Sequence, residues 1–164
     1  MFCESCGNGY NTSMQMSVSI EDCLKICVEG QIGQHGLSSA RDEDCLQCPI
    51  AYYSDQKYST ACTACAAGKY TALNGTSSCS LCPAGSFAPN ASSSCTMCSP
   101  GEFGSILGMT HCRSCEPGTF AQEEGSTRCT NCSLGYYQNK SGSSSCRSCP
   151  SGSTPKLGAK LASD

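Results

Sequence analysis

Eighteen of the 164 residues are cysteine, at positions 3, 6, 23, 27, 45, 48, 62, 65, 79, 82, 95, 98, 112, 115, 129, 132, 146 and 149, in close pairs that are mostly C-x2-C. Thiols at this spacing support three chemistries: cross-linking, zinc ligation and thiol–disulfide exchange. Exchange needs one such motif in a βαβ setting, and here the motif recurs along the whole chain. Zinc ligation belongs to a reducing compartment and often serves nucleic acid. Ten Lys and Arg against thirteen Asp and Glu leave no basic patch beside the pairs. Five of the six asparagines, Asn11, Asn74, Asn90, Asn131 and Asn139, head Asn-x-Ser/Thr sequons, which matter only in a secreted chain. Cross-linking is the reading these residues favour, with no metal and no cofactor.

From Cys45 onward the first cysteines of successive pairs lie 17, 17, 16, 17, 17 and 17 residues apart, so the chain is a repeat array. Glycine stands three residues after the second cysteine of each pair, at Gly68, Gly85, Gly101, Gly118, Gly135 and Gly152. An aromatic follows two residues later, at Tyr70, Phe87, Phe103, Phe120 and Tyr137. The repeat opened by Cys48 keeps Tyr53 but has Ala51 in the glycine slot. Two stretched versions precede it, Cys6 with Gly9 and Tyr10, and Cys27 with Gly30 and Ile32.

Joining the second cysteine of one pair to the first of the next closes each repeat on itself. A loop of about 15 residues closed in this way limits the unfolded chain by roughly 3 kcal/mol. The scheme gives Cys6–Cys23, Cys27–Cys45, Cys48–Cys62, Cys65–Cys79, Cys82–Cys95, Cys98–Cys112, Cys115–Cys129 and Cys132–Cys146. The alternative, first with first and second with second across adjacent repeats, stays open, although it leaves the glycine placement unexplained. The favoured scheme strands Cys3 and Cys149, which implies bonds to a neighbouring chain or to cysteines outside this segment. Met1-Phe2-Cys3 lacks a basic start and an apolar run, which favours an excerpt of a longer protein.

Leu, Ile, Val and Phe make only 20 of 164 residues, too few for an ordinary core. Covalent bonds must replace it. The expected fold is small and disulfide-rich: an elongated tandem array of short β-turn loops, with very little helix and no single hydrophobic core. Each repeat is expected to touch only its neighbours. Residues 1–44 read as two degenerate long-loop repeats, 45–152 as the tandem repeats, and 153–164 as a linker or tail. Apolar spacing at Ile20, Leu24 and Val28 allows one or two helical turns over 19–28. No stretch is apolar and long enough to span a membrane.

The segments Cys82-Pro-Ala-Gly-Ser-Phe87, Cys98-Ser-Pro-Gly-Glu-Phe103 and Cys115-Glu-Pro-Gly-Thr-Phe120 resemble the ephrin-receptor-like cysteine-rich repeat. That repeat is itself similar to the first module of tumour-necrosis-factor-receptor domains. The resemblance covers residues 45–152 closely and 3–44 poorly. It implies small β-turn loops bonded from the cysteine before the glycine to the next one. It implies receptor ectodomains or large surface proteins, and no enzymatic activity.

No catalytic set is visible. His35 and His111 stand apart from any nucleophile and carboxylate, and Asp42, Glu43 and Asp44 beside Arg41 read as a solvated acidic turn. Met14 and Met16 read as packing or surface residues rather than metal ligands. The function this supports is an extracellular or cell-surface structural glycoprotein, a rod-like segment of a filament, stalk or coat such as a flagellar hair. Its partners would be copies of itself or the rest of a longer chain, end to end, and glycans. The alternative is a ligand-binding receptor ectodomain, for which Tyr52, Tyr58 and Tyr136 are the spare aromatics. Near-identity between repeats favours the structural role.

Overall fold

A computed structural model describes residues 10–12, 23–33, 39–40, 45–57, 59–150 and 156–163. Each regular repeat starts with a tight turn. In the repeat opened by Cys82, the Ser86 N–H donates to the Pro83 carbonyl at 3.2 Å, with Gly85 third of the four residues at φ 83°. A type II turn demands a positive φ at that place, and glycine adopts it without strain. The slot glycines Gly68, Gly101, Gly118 and Gly135 take φ between 85° and 91°.

The turn directs a two-residue strand back onto the next C-x2-C segment. At the start of the chain, β1 (Tyr10–Thr12), β2 (Cys23–Ile26) and β4 (Ser39–Ala40) form a three-stranded sheet in the order β1-β2-β4, and β3 (Gln31–Gly33) pairs β5 (Cys45–Gln47). Two-stranded antiparallel hairpins then follow: β6 (Tyr52–Tyr53) with β7 (Thr63–Ala64), and β8 (Lys69–Tyr70) with β9 (Ser80–Leu81). Next come β10 (Ser86–Phe87) with β11 (Thr96–Met97), and β12 (Glu102–Phe103) with β13 (Arg113–Ser114). The last are β14 (Thr119–Phe120) with β15 (Thr130–Asn131), and β16 (Tyr136–Tyr137) with β17 (Arg147–Ser148). No helix occurs among the described residues. The helical turns expected over 19–28 are replaced, where described, by β2, which pairs with β1 on one side and β4 on the other. Backbone pairing on both edges overrides a short apolar spacing.

Two compact units are present. One comprises Met1–Cys65, Tyr70–Ser80 and Ala91–Ser94, the other Ala66–Lys69, Leu81–Asn90 and Cys95–Asp164. Within each, the same backbone bonds recur. In the second unit the Gly85 N–H donates to Gly104 O at 2.7 Å, and the Cys98 N–H donates to Gly85 O at 2.9 Å. In the first unit Ala51 plays the part of Gly85, donating to Thr71 O and accepting from the Cys65 N–H, each at 2.9 Å. The three-residue step from the slot leads to a buried position, occupied by Ser54, Thr71, Ala88, Gly104, Ala121 and Gln138. Their N–H groups bond carbonyls of the following repeat, for example Ala88 to Met109 O at 3.2 Å.

Contact does not stop at the neighbouring repeat. The Gly108 N–H donates to Cys82 O at 2.8 Å, and the Gly108 backbone lies against Gly68, two repeats back. Gly125 against Gly85, Gly142 against Gly101 and Gly158 against Gly118 repeat the arrangement. The expectation of neighbour-only contact is thereby corrected: two glycines without Cβ let backbones meet where side chains would not fit. The cysteine-free segment read as a linker or tail also docks over 156–163. Gly158 donates to Cys132 O at 2.8 Å and Ala159 is 1% exposed. Ala51 and Ala91 hold the slot and loop places of one such pair by register, with φ of 69° and 55°.

Candidate functional site

The chemistry-bearing groups are the cysteines, and the repeat geometry brings them together. Disulfides join Cys27–Cys45, Cys48–Cys62, Cys65–Cys79, Cys82–Cys95, Cys98–Cys112, Cys115–Cys129 and Cys132–Cys146. Their Cα atoms lie between 5.5 and 5.8 Å apart, the ordinary span of an unstrained bridge. In each, the second cysteine of a pair bonds the first of the next, and no described bond skips a repeat. Cys23 lies in β2, while Cys3 and Cys6 lie outside the described residues.

The two ends of each bridge differ in burial. Cys27, Cys48, Cys65, Cys82, Cys98, Cys115 and Cys132 are fully buried and are the largest fully buried side chains described. Their partners, such as Cys62 and Cys112, are half-buried. The slot aromatics Tyr70, Phe87, Phe103, Phe120 and Tyr137 are also only half-buried. The innermost layer is therefore sulfur and small residues, with the aromatics flanking it. Phe103 carries the Arg113 guanidinium 5.9 Å from its ring centre. Cys149 is 7% exposed and has no disulfide, yet its N–H donates to Gly135 O at 2.9 Å, the bond made by the bonded cysteines Cys48, Cys65, Cys82, Cys98, Cys115 and Cys132.

The sequon asparagines Asn74, Asn90, Asn131 and Asn139 are exposed, and Asn11 lies in β1. Asn74 and Asn90 each immediately precede the loop residue, Gly75 or Ala91, that turns at positive φ. Asn131 occupies the C-x2-C strand instead, and its side chain packs over Gly158. His111 is exposed, its Nδ1 3.1 Å from the Thr110 hydroxyl. Tyr52 and Tyr136 are exposed on β6 and β16. His35, Arg41, Asp42, Glu43, Asp44, Met14, Met16 and Tyr58 fall outside the described residues. Among the described residues no three His, Cys, Asp or Glu side chains converge on a metal-sized site, and no helix is long and apolar enough to cross a membrane.

Sequence reasoning missed the loop glycines Gly75, Gly108, Gly125, Gly142 and Gly158, each of which lies against a slot glycine. Their signal was present, since the last four are spaced 17, 17 and 16 residues apart, in step with the cysteines.

One finding from known proteins bears on this geometry. Residues 118–164 match the family described as tyrosine-protein kinase ephrin type A/B receptor-like. The matched stretch runs from the slot glycine Gly118 through Cys129, Cys132, Cys146 and Cys149 to the docked 156–163 segment. No curated protein matches the chain. The second-to-first bonding of the matched stretch runs back to Cys27, at separations of 13 or 14 residues from Cys48 onward and 18 for Cys27–Cys45, so the described residues form a cysteine-rich repeat array. The family and the density of disulfides together point to an extracellular or surface setting.

Proposed function

We propose that this chain is a structural segment of an extracellular glycoprotein, a rod-like piece of a filament, stalk or cell coat. The observation that carries the reading is the origin of the register. Each described repeat closes its own disulfide, and backbone hydrogen bonds join it to the next, from the Cys48 N–H on Gly30 O to the Cys149 N–H on Gly135 O. Side chains contribute little to this, so any repeat can follow any other and none is set apart as a reaction centre. The ephrin-receptor-like family is not enzymatic, and a load-bearing spacer suits an array whose stability is covalent.

In this reading residues 1–44 are two long-loop repeats leading into the regular array. Asn74, Asn90 and Asn139 carry N-linked sugar, with Asn11 and Asn131 as further acceptors. Cys149, placed like a bonded cysteine, and Cys3 take their bonds from a further repeat or from the next copy. Electron microscopy of the glycosylated protein, with electrophoresis under non-reducing conditions, tests the proposal. Extended particles and disulfide-linked multimers are expected. A compact monomer with Cys3 bonded to Cys149 would sink it.

One observation favours a receptor ectodomain instead. Ile106 and Leu107 are both exposed at the tip of the Cys98–Cys112 loop, where other loops carry one apolar residue beside Asn74 or Lys156, or the pair Glu123 and Glu124. A ligand captured there would lose affinity in Ile106→Ser and Leu107→Ser variants, and the structural reading expects no such ligand.

A further inference from the structure

The repeat defines equivalent positions, and toward the end of the array cations recur at them. Arg113 and Arg147 hold the same hairpin place, paired with Phe103 and Tyr137. Lys140 and Lys156 each stand two residues before a loop glycine, Gly142 or Gly158, whose N–H bonds the carbonyl of Cys115 or Cys132. Arg128 precedes the bonded Cys129. All five side chains are exposed, and none is ion-paired among the described residues. No Asp or Glu occurs between Glu124 and Asp164, although the whole chain carries a net charge of −3. Glu102, Glu116, Glu123 and Glu124 precede this stretch, and Asp164 follows it.

We propose that the exposed cations Arg128, Lys140, Arg147 and Lys156, with Arg113, bind a linear anionic polysaccharide. Cations spaced by a repeat match a polymer whose sulfate or carboxylate groups are spaced along its own length. A phosphopeptide would need several arginines converging on one anion. Here Lys140 and Lys156 share one loop place in adjoining repeats, and Arg113 and Arg147 share a hairpin place two repeats apart. Unpaired exposed charges of one sign also attract a polyanion from a distance and release its counterions on contact. The proposal uses the extracellular setting and holds for a filament, stalk or receptor alike.

The test is calorimetric titration of the full, disulfide-intact chain with heparin at two salt concentrations. Dextran sulfate, neutral dextran and inorganic sulfate serve as separate arms. The comparison variant combines Lys140→Gln, Arg147→Gln and Lys156→Gln, with its disulfides verified by peptide mapping. Both sulfated polymers are expected to bind and neutral dextran is not. The variant should bind about tenfold more weakly or worse, and its salt slope should fall by about 2, as expected for three lost contacts. Glu123→Gln with Glu124→Gln should strengthen binding. Failure of either sulfated polymer to bind at low salt overturns the proposal, as does unchanged affinity in the correctly bonded variant. Inorganic sulfate binding alone would make the site an adventitious ion only. Concentration-dependent self-association abolished in the variant would make a second copy the partner and overturn it too.

Discussion

Replacing Gly85 by alanine tests the close backbone meeting that extends contact to the second repeat. A Cβ built on Gly85 would overlap the carbonyl oxygen of Gly125 and lie 2.8 Å from its carbonyl carbon and 3.2 Å from its Cα. These are backbone atoms, so no side chain can swing aside. Gly85 is also held on both sides, donating to Gly104 O at 2.7 Å and accepting from the Cys98 N–H at 2.9 Å. The φ of 83° costs alanine about 1–2 kcal/mol by itself. Moving the strand enough to clear the overlap should forfeit about two hydrogen bonds, each about 1 kcal/mol net. The sum is about 3–4 kcal/mol of local stability. Gly142→Ala is the control: φ is 67°, but its nearest atoms are Ser114 side-chain atoms at 3.7 Å. It should lose only the conformational cost, about 1–2 kcal/mol. Hydrogen exchange reads both through local opening. Protection at the Gly85, Cys98 and Gly125 amides should fall by about a hundredfold or more in Gly85→Ala, and by about tenfold at the Gly142 amide in the control. Equal losses in the two variants would refute the overlap argument.

Three further outcomes are expected. Gln138 is 5% exposed; its Nε2 donates to Ser145 O at 2.7 Å and its Oε1 accepts from the Lys140 N–H at 3.1 Å, so Gln138→Ala should cost about 2 kcal/mol and open the 139–145 loop in exchange experiments. Cys115→Ser with Cys129→Ser removes a bridge of sequence separation 14 and should cost about 3 kcal/mol, with exchange accelerating at the adjoining Cys132 amide; a chain as protected as the parent contradicts the covalent account. Intact-mass analysis before and after enzymatic glycan release should show sugar at Asn74, Asn90 and Asn139, and no mass change at those sites would remove glycosylation from the proposed function.

Ala51 shows where local rule and tertiary demand part. The turn there needs a positive φ, and alanine takes 69° although glycine would do so freely. Its loop counterpart by register is Ala91, also at positive φ, in the repeat whose bridge spans 13 rather than 14 residues. The two exceptions to the glycine rule thus fall at places that correspond by register. The departures were visible as residues; that they belong together was not.

The sequence by itself determined the covalent frame. A fixed spacing of mostly 14 residues from second to first cysteine, with glycine three residues past each second cysteine, favours one bonding scheme and one turn, because both are local; the observed bridges exclude the first-with-first alternative. What only the tertiary structure decided is how far each repeat reaches. The buried position three residues past the slot holds Ser54, Thr71, Ala88, Gly104, Ala121 and Gln138, a set with no common hydropathy. The partners there are backbone carbonyls, which leave no signature in side-chain type beyond a preference for small size. The strand Cys23–Ile26, where the apolar spacing allows helical turns, and the docking of 156–163, which the sequence leaves open, were hidden for the same reason. Both are placed by main-chain bonds to distant residues, and main-chain atoms are the same in every amino acid.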